Sequence, residues 1–450
     1  MKAPLMISVA GVRGIVGESL TPPVLSRFAA AFAAEMPSGE IVVGRDARRS
    51  GPMVHRAVAA GLTAAGRDVA DLGLATTPAT EIAVETLGAA GGIILTASHN
   101  PAEWNALKFL NRHGEFIDAE RGAAVRARYE SDAPLWVSFD RLGRERHESR
   151  AAEWHVARVM ALEHLDHDAI RARKLHVAVD GCSSVGGVTA PRLLRELGVQ
   201  PIELDCEPTG EFTRELEPLP EHLGRLGEAV RGSGADFGVA FDPDADRAAF
   251  VDHEGVPLGE EFSLALAAEV VLARNAGPVV TNLSTSRMIE AVCARAGVTL
   301  HRTPVGEAHV VAAMRIHGAI LGGEGNGGVI LPAAHYGRDG LVAVALFCQA
   351  VSGSETLRAL ADRLPRLVML KEKAGRSTEP WERAAERLRA RFPGYDADTR
   401  DGLRLSRGDE WVHVRPSGTE PVVRVIAESP GEERTRELIG SARSALAGSS

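Results

Sequence analysis

Residues 236–247 read DFGVAFDPDADR. The stretch 237–241 is an unbroken apolar run of strand length, and a run without polar alternation belongs to a strand covered on both faces. It leads directly into three aspartates at alternate positions, Asp242, Asp244 and Asp246. Upstream lie LHVAVDG (175–181), a predicted helix over 189–197 with Gly198 as its left-handed cap, and PIELD (201–205). The same punctuation occurs twice more. EIVVGRD (40–46), a helix over 50–65 capped by Gly66, DVADLG (68–73), a helix over 78–87 and GGIILTA (91–97) form one unit. PVVTNLS (278–284), a helix over 286–296 capped by Gly297, VTLHRT (298–303) and GAILGGEGNGG (318–328) form another.

The units share little residue identity, so an architecture repeats and not a sequence motif. Strands alternating with helices predict an α/β fold: three similar domains with mixed, mostly parallel sheets, each surfacing a loop at the carboxyl ends of its strands, where such sheets bind ligands. From Val368 the pattern changes to short alternating strands with a turn at 406–409 and a helix over 432–446. This predicts a smaller C-terminal α+β domain, all four domains surrounding a central cleft. The expected divisions are 1–150 (first loop, at Ser98), 151–252 (acidic loop), 253–366 (loop at Glu324) and 367–450 (polar loop at 415–420).

A chain of 450 residues can bury several cores, and its net charge of −9 would repel nucleic acid and anionic membrane. Any phosphate binding must be local. Lys occurs at positions 2, 108, 174, 371 and 373 alone, so each is conspicuous. Four scattered cysteines without a C-x-x-C pair argue against a zinc knot or disulfide framework and for a reducing compartment. Gly11 and Arg13 interrupt any signal-peptide core, and the apolar uncharged run 340–354 is too short to span a bilayer. The expectation is a cytoplasmic protein with no membrane partner.

Three aspartates in one tight loop repel by roughly 4 kcal/mol per pair at 4 Å and an effective dielectric near 20, against about 1 kcal/mol in water. A folded loop therefore calls for a hard divalent cation, most simply Mg²⁺, unless the loop is a solvated turn. An EF-hand fails, because its sixth and twelfth positions would be Arg247 and His253. RPSGTEP (415–421) offers Arg415, the hydroxyls of Ser417 and Thr419 and a turn at Gly418, a set suited to a phosphate dianion. GEGNGG (323–328) spells G-x-G-x-x-G, but VILPAAHYG follows it where a dinucleotide site needs a helix. Its glycines would instead let a ligand approach while Glu324 and Asn326 bind hydroxyls. Gly-Lys never occurs, so no Walker A loop is present. In TASHNP (96–101) Ser98 could be a plain turn serine; Lys108 follows ten residues later, and a lysine held near cations loses its proton more readily.

Together TASHNP, DPDADR, GEGNGG and RPSGTEP, in this order, resemble the motifs of the α-D-phosphohexomutase superfamily of phosphoglucomutases, phosphomannomutases and phosphoglucosamine mutases. The resemblance extends over nearly the whole chain, beginning at SVAGVRGIVG (8–17). It implies that Ser98 is carried as a phosphoserine. Asp242, Asp244 and Asp246 would hold Mg²⁺ together with an oxygen on Ser98, and Lys108 would act as general acid and base. Arg13, His99 and Arg247 would surround the transferring phosphate, Glu324 and Asn326 the sugar, and Arg415, Ser417, Gly418 and Thr419 the far phosphate.

The implied reaction is an intramolecular phosphotransfer between hexose 6-phosphate and hexose 1-phosphate, with a hexose 1,6-bisphosphate as intermediate and activator. The opening and the Asn-containing loop look most like the archaeal-type branch, for which glucosamine phosphate is the expected sugar and mannose or glucose phosphate the alternative. A metal-dependent sugar phosphatase and a non-catalytic sugar-phosphate binder remain open. Partners would be small sugar phosphates, the assembly a monomer or homodimer. One departure stands out: family members often carry a basic residue in RTPVGE (302–307), where this chain has Pro304, leaving Arg302 or His309 to substitute. Hinge motion is expected near 364–373.

Overall fold

The computed structural model describes residues 5–131, 135–375, 379–416 and 422–447. Four sheets follow one another along the chain. In the first, Ile41–Arg45 is flanked by parallel Val69–Leu74 on one side and Gly91–Leu95 on the other, after which Trp104–Leu110 returns antiparallel. Gly11–Ile15 and Met6–Ser8 extend that side, and Glu145–His147 forms the opposite edge.

The second sheet repeats the plan with His176–Asp180 between Gln200–Leu204 and Phe237–Phe241, and Ala248–Val251 returning. The third has Val279–Asn282 between Leu300–Thr303 and Leu321–Glu324, with Gly328–Ile330 returning. In every unit the functional loop joins the third parallel strand to the returning one. Apolar strands such as Phe237–Phe241, buried at every position, need helices on both faces, and the helical connections supply them. Gly66, Gly198 and Gly297 all take positive φ (79°, 80° and 67°) at the helix ends where the sequence places caps.

Helix starts differ from expectation by at most three residues, and the last begins at Glu432 as expected. The largest shift is Gly186–Leu197, expected from 189: Gly187 lies so close to the Cys206 backbone that a Cβ there would come within 2.5 Å of Cys206 Cα. Two glycines that read as loop are helical because the helix must approach that turn.

The fourth sheet is antiparallel, in the order Val368–Gly375, Val422–Ser429, Glu410–Pro416, Leu403–Arg407, Asp396–Asp398, covered by Trp381–Arg391 and Glu432–Ala447. Val368–Gly375 pairs along its whole length with Val422–Ser429. Of the expected hinge at 364–373, residues 368–373 are thus locked in a ladder, and 364–367 is the connecting part. One continuous apolar core joins the second and third domains, from Val156 to Leu364, while the fourth has its own around Leu388, Leu405, Val425 and Leu438. Among the described residues no helix is long and apolar enough to cross a membrane.

Candidate active site

Strand Gly91–Leu95 delivers Ser98 to the surface of the first sheet in a left-handed conformation, φ 49°. A non-glycine residue pays roughly 1–2 kcal/mol for this geometry, so the surroundings must impose it. Ser98 N donates to Thr96 Oγ1 at 2.9 Å. The fully buried Arg48 donates to the carbonyls of Ser98, Asn100 (2.6 Å), Pro101 (2.7 Å) and Trp104 (3.2 Å), gathering the loop around one guanidinium. Asp46 balances that charge at 3.1 Å and also accepts from Thr96 Oγ1 at 2.7 Å. Ser98 itself is 6% exposed, and its Oγ donates to Asp242 Oδ2 at 2.7 Å.

The acidic loop is no solvated turn. Asp242, Asp244 and Asp246 are each 0% exposed and present ligand oxygens within 4.8 Å of one another. Burial, reinforced by its two neighbours, drives Asp242 well above the usual carboxylate range. Burial would do the same to Asp244, but the Lys108 ammonium and the Thr77 hydroxyl, 2.7 Å from its Oδ2, hold it below that range. Asp244 Oδ1 and Asp246 Oδ1 are buried without a hydrogen-bond partner. Two unsatisfied carboxylate oxygens aimed into one concavity are costly, and a divalent cation with oxygen ligands satisfies both at once. The residues fit such an ion.

Lys108, on Trp104–Leu110, lies 2.7 Å from Asp244 Oδ2 and 3.7 Å from Asp246 Oδ2. The expectation of a lysine among cations is thereby corrected. Burial alone would lower its pKa, but the two aspartates outweigh burial and raise it, so Lys108 is an ammonium. The cations gather instead around His99, which burial and then the charges of Arg247, Arg13 and Arg424 hold well below its ordinary pKa. Arg13 Nη1 donates to Asn100 Oδ1 at 2.9 Å, and Arg247 Nη1 to Glu217 at 3.2 Å.

Glu324 ends the third strand of the third sheet and is 4% exposed. Its carboxylate accepts from Asn282 (2.8 Å), Gly306 N (3.0 Å) and Arg338 (3.2 Å). Burial pushes its pKa up, but Arg338 and Asn282 bring it below the usual value. Asn326 Oδ1 accepts from Gly328 N at 3.2 Å. Gly327 (φ 90°) accepts from Ala248 N through its carbonyl, 3.0 Å away, and a Cβ there would lie 2.8 Å from Ala248 O. Glycine is what lets the third loop touch the strand leaving the acidic one. Arg338 completes the junction, donating to Asp246 Oδ2 at 2.6 Å and Glu307 Oε2 at 2.8 Å as well as to Glu324.

Arg415 stands on the fourth domain, paired across the sheet with Arg424 and 3.4 Å from Asp401. Ser417, Gly418 and Thr419 lie outside the described residues. Arg302 is spent internally on the carbonyls of Asn282 and Thr285 and on Glu290, at 2.8–2.9 Å. His309 and Pro304 line a groove of about 420 Å³ with His301, His317 and Arg400, whose lining holds none of the site residues above. Arg302 is thus committed within its own domain, whereas His309 lies beside Pro304.

Sequence reasoning missed Arg48, Asp46, Thr77, Asn282, Glu307 and Arg338. Gly-Arg-Asp appears at 44–46, 66–68 and 337–339, and since the copy at 66–68 holds no site residue, the tripeptide does not single out Asp46 or Arg338.

Three repeated sheets delivering the Ser98, aspartate and Glu324 loops to one place, with a fourth domain alongside, define an enzyme of the phosphohexomutase type. The chain belongs to the phosphoglucomutase/phosphomannomutase family. Its alpha/beta/alpha domain I model matches residues 6–135, domain II 155–255, domain III 260–368 and the C-terminal domain 370–443. A phosphoglucomutase/phosphomannomutase of Thermococcus kodakarensis is 37% identical over 442 residues, 95% of each chain. A phosphoglucosamine/phosphogalactosamine mutase of Sulfurisphaera tokodaii is 32% identical over 450 residues, covering 97% of this chain and 98% of the other. The crystal structure of a phosphoglucomutase/phosphomannomutase family protein from Burkholderia thailandensis superposes with a TM-score of 0.84 at 28% identity, covering 98% of this chain and 96% of that one.

Proposed function

We propose that this enzyme interconverts hexose 6-phosphate and hexose 1-phosphate through a phosphoserine at Ser98 and a bisphosphorylated sugar, with glucosamine phosphate as the preferred substrate. The observation that carries the proposal is Ser98 Oγ at 2.7 Å from Asp242, beside two buried carboxylate oxygens without partners. Ser98, Asp242, Asp244 and Asp246 would hold Mg²⁺, which when bound supplies positive charge beside the phosphoserine oxygens.

The chain's own groups do the rest. A sugar hydroxyl bonds to the phosphorus, the bond from phosphorus to Ser98 Oγ breaks, and the proton of that hydroxyl must finish on Ser98 Oγ. Lys108, held as an ammonium beside the acidic loop, is suited to give a proton to the departing Ser98 Oγ and, as the amine so formed, to take up the proton of the sugar hydroxyl. Arg13, His99 and Arg247 surround the phosphoryl group, Glu324 and Asn326 hold the sugar hydroxyls, and Arg415 with the 417–419 loop holds the far phosphate. The reverse transfer returns the other phosphate to Ser98. Work in the cytoplasm on free sugar phosphates, as a monomer or homodimer, completes the proposal.

Ser98→Ala should lower mutase turnover by more than ~10³-fold while circular dichroism stays unchanged; turnover within tenfold of the parent sinks the assignment. Asp244→Asn should reduce activity and Mg²⁺ dependence together. Inorganic phosphate released without sugar 1-phosphate would mark a phosphatase instead. A second sugar, mannose or glucose phosphate, is favoured by the name of the Thermococcus relative. Comparing kcat/KM across hexose 6-phosphates, with Mg²⁺ and a trace of bisphosphate, separates the two.

A further inference from the structure

Asp244 is held from the first domain. Helix Thr77–Leu87 meets the acidic loop with its first turn. Thr76 caps that helix, its hydroxyl accepting from Ala79 N at 3.0 Å, so the Thr77 hydroxyl is free of capping duty. It donates instead to Asp244 Oδ2 at 2.7 Å. The Thr77 amide, one of the helix-initial N–H groups with no partner inside the helix, donates to Asp244 O at 2.9 Å. One fully buried residue thus fixes both the backbone and the carboxylate of Asp244. Next along the chain, Ala245 is left-handed (φ 56°) and its carbonyl accepts from Gly340 N at 3.2 Å, so the loop is pinned from the third domain as well.

The donors around the loop separate the two oxygens of each carboxylate. Asp244 Oδ2 accepts from Thr77 Oγ1 and from Lys108 Nζ, each at 2.7 Å, while Oδ1 is buried without a hydrogen-bond partner. Asp246 repeats the division: Oδ2 accepts from Arg338 at 2.6 Å, and Oδ1 is again buried and unpartnered. Turning Asp244 to offer both oxygens to one ion would leave the buried Thr77 hydroxyl unsatisfied and take the Lys108 ammonium from its nearest partner. Each of these aspartates therefore gives one oxygen. Mg²⁺ suits single oxygens, because it is small, octahedral and keeps several waters; Ca²⁺ gathers more oxygens and commonly grips a carboxylate by both. A hydroxyl is also the right donor here, since it occupies Oδ2 without cancelling the negative charge that attracts the ion.

We propose that Thr77 is a positioning residue that sets the affinity and selectivity of the aspartate loop: by occupying Asp244 Oδ2 it presents Oδ1 alone, which favours Mg²⁺ and disfavours Ca²⁺. The inference rests on the reading of that loop as a metal site and adds to it the residue, from a different domain, that decides how Asp244 binds. Partners of metal-ligating groups act in this way by fixing the orientation of the ligand.

The test is titration of Mn²⁺, which takes the same oxygen ligands as Mg²⁺, into the full-length chain, with free Mn²⁺ counted by electron paramagnetic resonance and Mg²⁺ and Ca²⁺ added as competitors. Thr77→Val keeps the shape and the amide but removes the hydroxyl. It should weaken Mn²⁺ binding about tenfold or more and narrow the preference for Mg²⁺ over Ca²⁺. Thr77→Ser, which keeps the hydroxyl, should return both to near the parental values, and Thr77→Ala removes the same hydroxyl should the valine variant fail to fold. Parental Mn²⁺ affinity in the variants without the hydroxyl, or an equal loss in Thr77→Ser, overturns the role of Thr77. A parent that takes Ca²⁺ as tightly as Mg²⁺ overturns the selectivity. Mn²⁺ uptake by neither parent nor variants would instead sink the metal reading itself, and this inference with it.

Discussion

Arg338 is where the second and third domains can be tested against each other. Its guanidinium is buried and meets Asp246 at 2.6 Å, Glu307 at 2.8 Å and Glu324 at 3.2 Å: a carboxylate of the acidic loop, one from the start of the helix behind it, and one at the third loop. Arg338→Gln keeps much of the side chain's length but leaves three buried carboxylates around an absent cation. Removing one partner of a buried ion pair costs roughly 3–5 kcal/mol. Burial already holds Glu307 above its usual pKa even with Arg338 beside it, so Glu307 takes up a proton and recovers part of this. The expected loss is near the lower figure, ~3 kcal/mol, enough to lower the thermal midpoint by at least ~4 °C. Because the acidic loop and the Glu324 loop, proposed to hold the metal and the sugar, lose their common anchor, a displacement near 1 Å should cost about 10²-fold in kcat. Arg338→Lys restores the charge but not the planar fork that spans carboxylates on both domains, and should fall between. Steady-state conversion of hexose 1-phosphate to 6-phosphate, with thermal scans at the same pH, measures both effects. A glutamine variant with parental kcat/KM and midpoint refutes the view that this residue fixes one loop against the other.

At the junction of the third and fourth domains, His413 Nε2 donates to Asp401 O at 2.6 Å, while Nδ1 accepts from Ser284 Oγ at 2.9 Å and burial pushes the pKa down to about 4. Its folded pKa lies below the ordinary 6.5, so its contribution is complete above that value and is lost as pH falls toward 4, by at most about 3 kcal/mol. Hydrogen-exchange protection factors over 401–414 should therefore fall below pH 6, a fall that flattens in His413→Gln; identical protection at pH 7 and 4.5 contradicts it. Lys371, one of the five lysines, bonds Glu260 (2.7 Å), Glu261 (3.0 Å) and the carbonyl of Gly325 (3.1 Å) in the sugar loop. Lys371→Met should raise KM about tenfold, the equivalent of one charged hydrogen bond, with a smaller change in kcat; an unchanged KM shows the loop to be held by other means. Small-angle scattering should report compaction on adding hexose 1,6-bisphosphate, and an unchanged radius of gyration rules out closure.

The sheets are legible in the sequence because apolar strands and glycine caps are local signals. The serine and aspartates are legible for the same reason, since three carboxylates within five residues must find a cation or water wherever the chain goes. Arg338 and Arg48 are different. Their partners lie 92 residues away at Asp246 and 50 away at Ser98, and in a chain whose basic residues are mostly arginine nothing local marks them. Lys108 stood out by scarcity, yet its surroundings were misjudged, because carboxylates 136 residues distant set its charge. Spacing along the chain finds groups that act together only when they are also neighbours in sequence.

This division between local and distant groups bears on which part of the enzyme can move. The first domain is tied to the acidic loop by Thr77 and Asp244, at 2.7 Å between side chains and 2.9 Å between backbones, and the second and third share a core. Separating those parts would expose apolar surface at roughly 25 cal/mol per Å². The fourth domain keeps its own core and meets the third through polar pairs: Ser284 with His413, Val305 N with Asp401, Arg287 N with Glu428, and Arg400 with the Arg302 carbonyl. Polar pairs exchange for water at about 0.5–1.5 kcal/mol each. The proposed reaction needs a far-phosphate site that accepts either end of a turning bisphosphate while Ser98 and the aspartates stay fixed. The fourth domain, joined through 364–367, can shift for a few kcal/mol, whereas moving any of the other three would dismantle the site it serves.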